Sequence, residues 1–95
     1  MLTLPRPIAF QWDSGNKNKN FAKHKTANEE CEQAFFDRSK KIYPDAGHSQ
    51  SEPRYWLIGK TKRGRVLFIS FTIRHNQIRV ISARDINRKE IKYYN

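Results

Sequence analysis

The hydrophobic and polar positions along the chain fall into two textures, and the first occupies the N-terminal half. Ile8, Phe10 and Trp12 alternate with Ala9 and Gln11, the period-2 pattern of a short strand with one buried face. Asp13 or Ser14 is placed to cap a following helix, in which Phe21 is the main apolar anchor of the polar stretch from 16 to 25. Within it, Asn16-Lys17-Asn18-Lys19-Asn20 reads as exposed helix surface. Thr26 with Glu29 three residues on forms a capping-box pattern, and Ala27, Cys31, Ala34 and Phe35 follow at helical spacing. A second helix is predicted over residues 28 to 36.

The second texture is β-rich. A short strand around residues 41 to 43 gives way to a polar loop bounded by Pro44 and Pro53. Tyr55 and Leu57, then Val66, Phe68, Ile69, Phe71 and Ile73, make two runs separated by Thr61-Lys62-Arg63-Gly64, a hairpin signal. A further turn at His75-Asn76-Gln77 leads into a β-branched run over residues 78 to 83. Ser82 and Asp85 form a cap for a last helix carrying Ile86, Glu90 and Tyr93 or Tyr94. The expected fold is a small α+β domain spanning 1-95, in the order β-α-α-β-β-β-α. An antiparallel sheet centred on residues 66 to 73 packs against two helices.

Charge changes this picture from a fold to a partner. The formal net charge is +10, and it is lopsided. Residues 1 to 50 hold eight Lys/Arg against six Asp/Glu, whereas residues 51 to 95 hold eleven against Glu52, Asp85 and Glu90. A C-terminal half of this sign favours polyanions by steering and counterion release, although a basic face also serves solubility alone. Cys31 is the only cysteine, so neither an intramolecular disulfide nor a cysteine-rich zinc site is available, and the cytoplasm is the expected compartment. The first twelve residues hold no apolar run long enough for a signal peptide or membrane span. His24, His48 and His75 are far apart and lack metal-ligand spacing, so no metal and no cofactor is expected.

Three segments resemble one known family. The first is Phe10-Gln11-Trp12-Asp13 with Asn16, Asn20 and Lys23-His24, running into Glu29-Glu30 and Phe35. The second is His48-Ser49 with Glu52, Arg54 and Gly59; the third is Thr72, Arg74 and Ile78-Arg79-Val80-Ile81-Ser82-Ala83-Arg84. Their order and spacing are similar to the BrnT toxins, which pair H-S-x-x-E-x-R with I-R-I-I-S-A-R. The resemblance implies a RelE-like fold, an endoribonuclease that arrests translation, and neutralisation by a BrnA-type antitoxin in a hetero-oligomer. Lys25-Thr26 stand where many members have Gly, a departure that bears on the turn between the helices.

Metal-independent RNA cleavage requires a proton acceptor for the 2′-hydroxyl, a donor for the leaving oxygen and cations for the phosphorane. Arg79 and Arg84 are the candidates for charge stabilisation, with Arg54 and Arg65 gripping the backbone and Arg74 and Lys23 adding phosphate contacts. Strand parity puts Arg79 and Arg84 on opposite faces of a regular strand, unless Arg84 lies where the strand ends. The alternative for each arginine is an exposed strand residue that blunts an edge. His24 is the best acid or base by residue type, with a local helix-terminal role as its rival. His48 and Glu52 make either an acid and base pair or, with Ser49, a turn network positioning Arg54. Trp12, Phe68, Phe71 and Cys31 are expected in the core, while Tyr55, Trp56 and Tyr93-Tyr94 either pack or stack bases. The acidic group Glu29, Glu30 and Glu32 meets a basic antitoxin or complements its helix terminus. The competing function is a non-catalytic basic nucleic-acid-binding module; a third is a purely structural antitoxin partner.

Overall fold

A computed structural model describes residues 4–48 and 51–95. Two helices, α1 (Lys19–His24) and α2 (Asn28–Phe35), precede four strands, β1 (Lys41–Pro44), β2 (Tyr55–Lys60), β3 (Val66–Arg74) and β4 (Gln77–Asp85). The strands form one antiparallel sheet in sequence order, so every connection joins neighbours. The α+β class and the packing of the sheet against two helices follow the sequence pattern. Cys31, Ala34 and Phe35 of α2 meet Leu57, Leu67, Ile69, Phe71, Ile78, Val80 and Ala83 from the sheet's inner face. Phe35 is the hub of that core, edge-on to both Phe10 and Phe71 at 5.3 and 5.0 Å. Burial pushes the Cys31 thiol up to about 12, as suits an inert core thiol.

The element order differs from expectation at both ends and by one strand, because Lys41–Pro44 joins the sheet as a fourth strand beside β2. Residues 8 to 12 do place Ile8, Phe10 and Trp12 against the core, yet only Phe10 bridges β4, parallel to Ile78. The backbone ladder stops there because side chains take over: Asn16 Nδ2 donates to Val80 O at 3.1 Å, and Asn20 Oδ1 accepts Ala83 N–H at 2.9 Å. Asn16 and Asn20 are thus buried, not helix surface, and act as a substitute strand along the edge of β4. At the other end β4 runs on through Ser82 to Asp85, which pairs with Leu67. Ser82 and Asp85, expected to cap a last helix, are instead paired in β4, and the expected helix is a 3-10 turn, Ile91–Tyr93. The order is therefore α-α-β-β-β-β.

Three local features set the geometry of the outer face. The helix α2 starts one residue later than the capping pattern suggests, with Glu30 Oε1 accepting Ala27 N–H, because the Thr26 hydroxyl donates to His24 O and accepts from Arg65. The β3–β4 hairpin closes on His75 and Asn76, both at positive φ, a two-residue turn that suits the twist of its strands. Above it, Ser70 pairs with Ser82 but Phe71 pairs with Val80, so Ile81 is the extra residue of a β-bulge.

Candidate nucleic-acid interface

The bulge decides which side chains share a surface. Directly paired residues project to the same side of a sheet, and Phe68, Ser70 and Thr72 alternate along β3 onto the side opposite α2. Their partners Arg84, Ser82 and Arg79 project with them. Arg79 and Arg84 therefore lie on one face, correcting the opposite-face parity of a regular strand. Phe68 also belongs to this outer face and not to the core; it is partly buried because the Arg84 guanidinium lies 4.5 Å from its ring centre.

A groove of about 460 Å³ runs over this surface. Trp56, Phe68, Ser70 and Ser82 make its floor, with Arg54 and Arg84 at its rim and Tyr93 brought in by the C-terminal turn. That turn is pinned by Tyr43, whose hydroxyl donates to Tyr93 O at 2.7 Å, and by Tyr94, whose hydroxyl donates to Asp37 at 2.6 Å. Arg54 is carried by the segment that Thr72 anchors through a 2.6 Å hydrogen bond to Pro53 O.

Each of three arginines is clamped by a carboxylate. Arg79 bonds both oxygens of Asp13 at 2.7 and 3.1 Å, Arg74 both oxygens of Glu52 at 2.9 and 2.7 Å, and Arg84 both oxygens of Glu90 at 2.8 and 2.7 Å. The hydrogen bonds from these arginines hold all three carboxyls below the usual carboxylate range, with Arg54 and Arg79 adding their field at Glu52. Carboxylates stabilised in this way are poor proton acceptors near neutrality. Among the described residues two donor positions of Arg84 and three each of Arg74 and Arg79 have no protein acceptor, so a phosphate can bind there with the clamps in place. Access differs among them: the Arg74 and Arg84 side chains are 46% and 36% exposed, and Arg79 only 15%.

Arg65 is used differently. Its Nε donates to Asp85, Nη1 to Lys25 O and Glu30, and Nη2 to His24 O and the Thr26 hydroxyl. All five donors of the guanidinium are therefore engaged by the protein. They tie the turn between the helices to the sheet at Lys25, which adopts φ 57°. Lys23 and His24 end α1 beside β4, and it is the His24 carbonyl that carries the described hydrogen bonds. Among the described residues no hydrogen bond joins the His24 ring to Arg79 or Arg84. His48 closes a 3-10 turn, Ala46–His48, while Ser49 and the turn network read through it lie outside the described residues.

Sequence reasoning missed Asp13, Glu90 and Ser70 as parts of this surface. Asp13 lies 66 residues from Arg79 and nothing local marks it, whereas Glu90 is only six residues beyond Arg84 but was read as part of a last helix and not as that arginine's partner. Asn16 and Asn20 did carry a signal: their i, i+4 spacing puts both on one side of a helical turn, away from Lys17 and Lys19. Among the described residues no group of three or more His, Cys, Asp or Glu could hold a metal ion, and no helix is long and apolar enough to cross a membrane.

No curated protein matches the chain significantly. The family described as "Ribonuclease toxin, BrnT, of type II toxin-antitoxin system" matches residues 12–90, which takes in both helices, all four strands and every clamped arginine with its carboxylate. With most of its length matched, the chain belongs to the BrnT ribonuclease toxins of type II toxin-antitoxin systems.

Proposed function

We propose that this toxin is a metal-independent endoribonuclease that holds RNA across the outer face of its sheet and cleaves it to arrest translation. The observation that carries the reading is the bulge at Ile81, which gathers Arg79 and Arg84 on one face beside an aromatic-floored groove in a chain of this family. Arg84, more accessible and at the groove, contacts the phosphate as charge builds on the phosphorane. Arg79, more covered, contributes its field from the same face. Arg54 and Arg74 bind flanking phosphates, and Lys23 reaches the strand where it leaves β4. The clamped carboxylates being poor bases, proton transfer falls to histidine, with His24 our assignment. Arg65 belongs to the scaffold in this reading, because its donors are engaged by the protein.

The scaffold is RelE-like, and the toxin acts in the cytoplasm until a BrnA-type antitoxin binds it in a hetero-oligomer. The test is to map cleavage ends on RNA, with and without ribosomes and with and without a chelator, for the parent and for Arg79→Ala and Arg84→Ala. Cleavage that survives chelation and falls by about 100-fold or more in Arg84→Ala is expected. Both variants should stay folded and retain antitoxin binding. Intact RNA with the parent overturns the reading, and salt-sensitive binding without cleavage replaces it with a nucleic-acid-binding module.

A further inference from the structure

We propose that the groove on the outer sheet face is a stacking site for one unpaired nucleobase of single-stranded RNA, with Trp56 as its platform and the Ser70 and Ser82 hydroxyls reading the base edge. This rests on the RNA-binding reading above and names the form of RNA that the site takes.

Four observations carry it. Trp56 is partly buried on the groove floor, its ring centre 5.3 Å from that of Phe68 and tilted by 50° to it. The contrast with Trp12 is instructive: Trp12 packs against the core and donates its indole N–H to Glu32 at 2.7 Å, whereas Trp56 lines an open groove. The Arg84 guanidinium over Phe68 adds a second flat, cationic surface of the kind on which bases stack. Ser70 and Ser82 face each other across β3 and β4 in the middle of this floor, and among the described residues neither hydroxyl has a hydrogen-bond partner. Two adjacent hydroxyls supply both donors and acceptors, which the Watson–Crick edge of a base requires. Finally, about 460 Å³ suits a ligand of nucleotide size, at the lower end of the roughly 300–1,000 Å³ of small-molecule sites.

The same geometry disfavours a duplex. A base reaches the Trp56 ring only after leaving its stack, at a cost of a few kcal/mol in a paired strand and little in an unpaired one. Arg54 and Arg84 line the groove together with the carboxylates Asp45 and Glu90, the latter holding Arg84 in place. The phosphates on either side of the stacked base meet the two arginines while the base itself meets the aromatic and serine surface.

The experiment uses the full chain with Trp12→Phe, which leaves Trp56 as the only tryptophan. A short single-stranded oligonucleotide with 2′-O-methyl riboses, which lacks the attacking hydroxyl, is titrated beside the same sequence annealed into a duplex at equal salt. The single strand is expected to quench Trp56 emission and to bind more tightly than the duplex. Trp56→Leu, in the otherwise unaltered chain, should weaken single-strand binding by about 10-fold or more with little change for the duplex. Ser70→Ala with Ser82→Ala should flatten the preference among the four homo-oligomers. Tight, salt-sensitive RNA binding with unchanged Trp56 emission, or equal loss of both RNA forms in Trp56→Leu, overturns the stacking site and leaves the ribonuclease reading intact. Absence of any RNA binding by the parent overturns both.

Discussion

The side-chain oxygen of Asn20 accepts the backbone N–H of Ala83 at 2.9 Å, and both residues are buried. Asn16 does the complementary work, donating from Nδ2 to Gln11 O at 2.9 Å and to Val80 O at 3.1 Å. The edge of β4 is thus sealed by one acceptor and one donor of opposite polarity, and substitutions should feel the difference. Asn16→Asp turns a donor into a carboxylate facing two carbonyl oxygens, whereas Asn20→Asp keeps the acceptor that Ala83 needs. Thermal denaturation should show Asn16→Asp unfolding at the lower temperature of the two. Asn20→Ala, which orphans a buried N–H, should cost about 1–3 kcal/mol. Equal melting temperatures for the two aspartate variants would show that the donor and acceptor roles are not what seals this edge.

Arg65 separates scaffold from RNA contact. Replacing it with Ala strands the acceptors of five hydrogen bonds, and stability should fall by roughly 2–4 kcal/mol, from the loss of several charged hydrogen bonds at a partly exposed site. The slope of log affinity against log salt should stay that of the parent. A residue that grips a phosphate would instead lower that slope by about 0.7 on single-stranded RNA. The same titration on Arg84→Ala should show that decrease.

Acid should weaken the fold through the clamps. Asp13, Glu52 and Glu90 are held below the ordinary carboxylate range by Arg79, Arg74 and Arg84. Their folded values lie below their unfolded ones, so the unfolded chain binds more protons in the window between them, and stability rises with pH there. The contribution is complete above the unfolded carboxylate values of about 4 and is lost as pH falls through the lower folded values. Melting temperatures from pH 7 to pH 2 should therefore drop most steeply below about pH 4. Glu90→Gln should flatten part of that drop, and an unaltered profile in that variant would show that the Arg84 clamp makes no net contribution.

Gly59 marks where α2 presses closest on the sheet. A methyl group there would stand 2.4 Å from the Ala34 carbonyl oxygen, a backbone atom that cannot swing aside. Gly59→Ala should cost about 3 kcal/mol or more, or abolish soluble expression. Gly47→Ala is the control, since its nearest neighbour would be 3.8 Å away, and its melting temperature should match the parent's.

Much of this molecule was legible in order, and less of it in detail. The alternation from Tyr55 to Ile73 and the helical spacing of Cys31, Ala34 and Phe35 are local patterns, set by which side chains avoid water, and they located β2, β3, α2 and the core. The excess of arginine in the last 45 residues likewise pointed to a polyanion, because charge needs no fold to be counted. What failed were statements that depend on partners far along the chain. Period-2 counting from Arg79 to Arg84 goes wrong by one residue because a bulge obeys the pairing of β4 with β3, which no local pattern in β4 records.

The sequence by itself determined that this chain carries a basic, β-rich C-terminal half, a helical N-terminal half and the ordered motifs of the BrnT toxins. The tertiary structure alone decided which acceptors those arginines meet: Arg65 bonds His24, Lys25, Thr26, Glu30 and Asp85, while Arg74, Arg79 and Arg84 enter carboxylate clamps on one face. The physical reason is that an arginine's role is fixed by the acceptors within reach of its guanidinium. Asp13, Glu52, Asp85 and Glu90 come within reach only after the hairpin, the bulge and the C-terminal turn have formed.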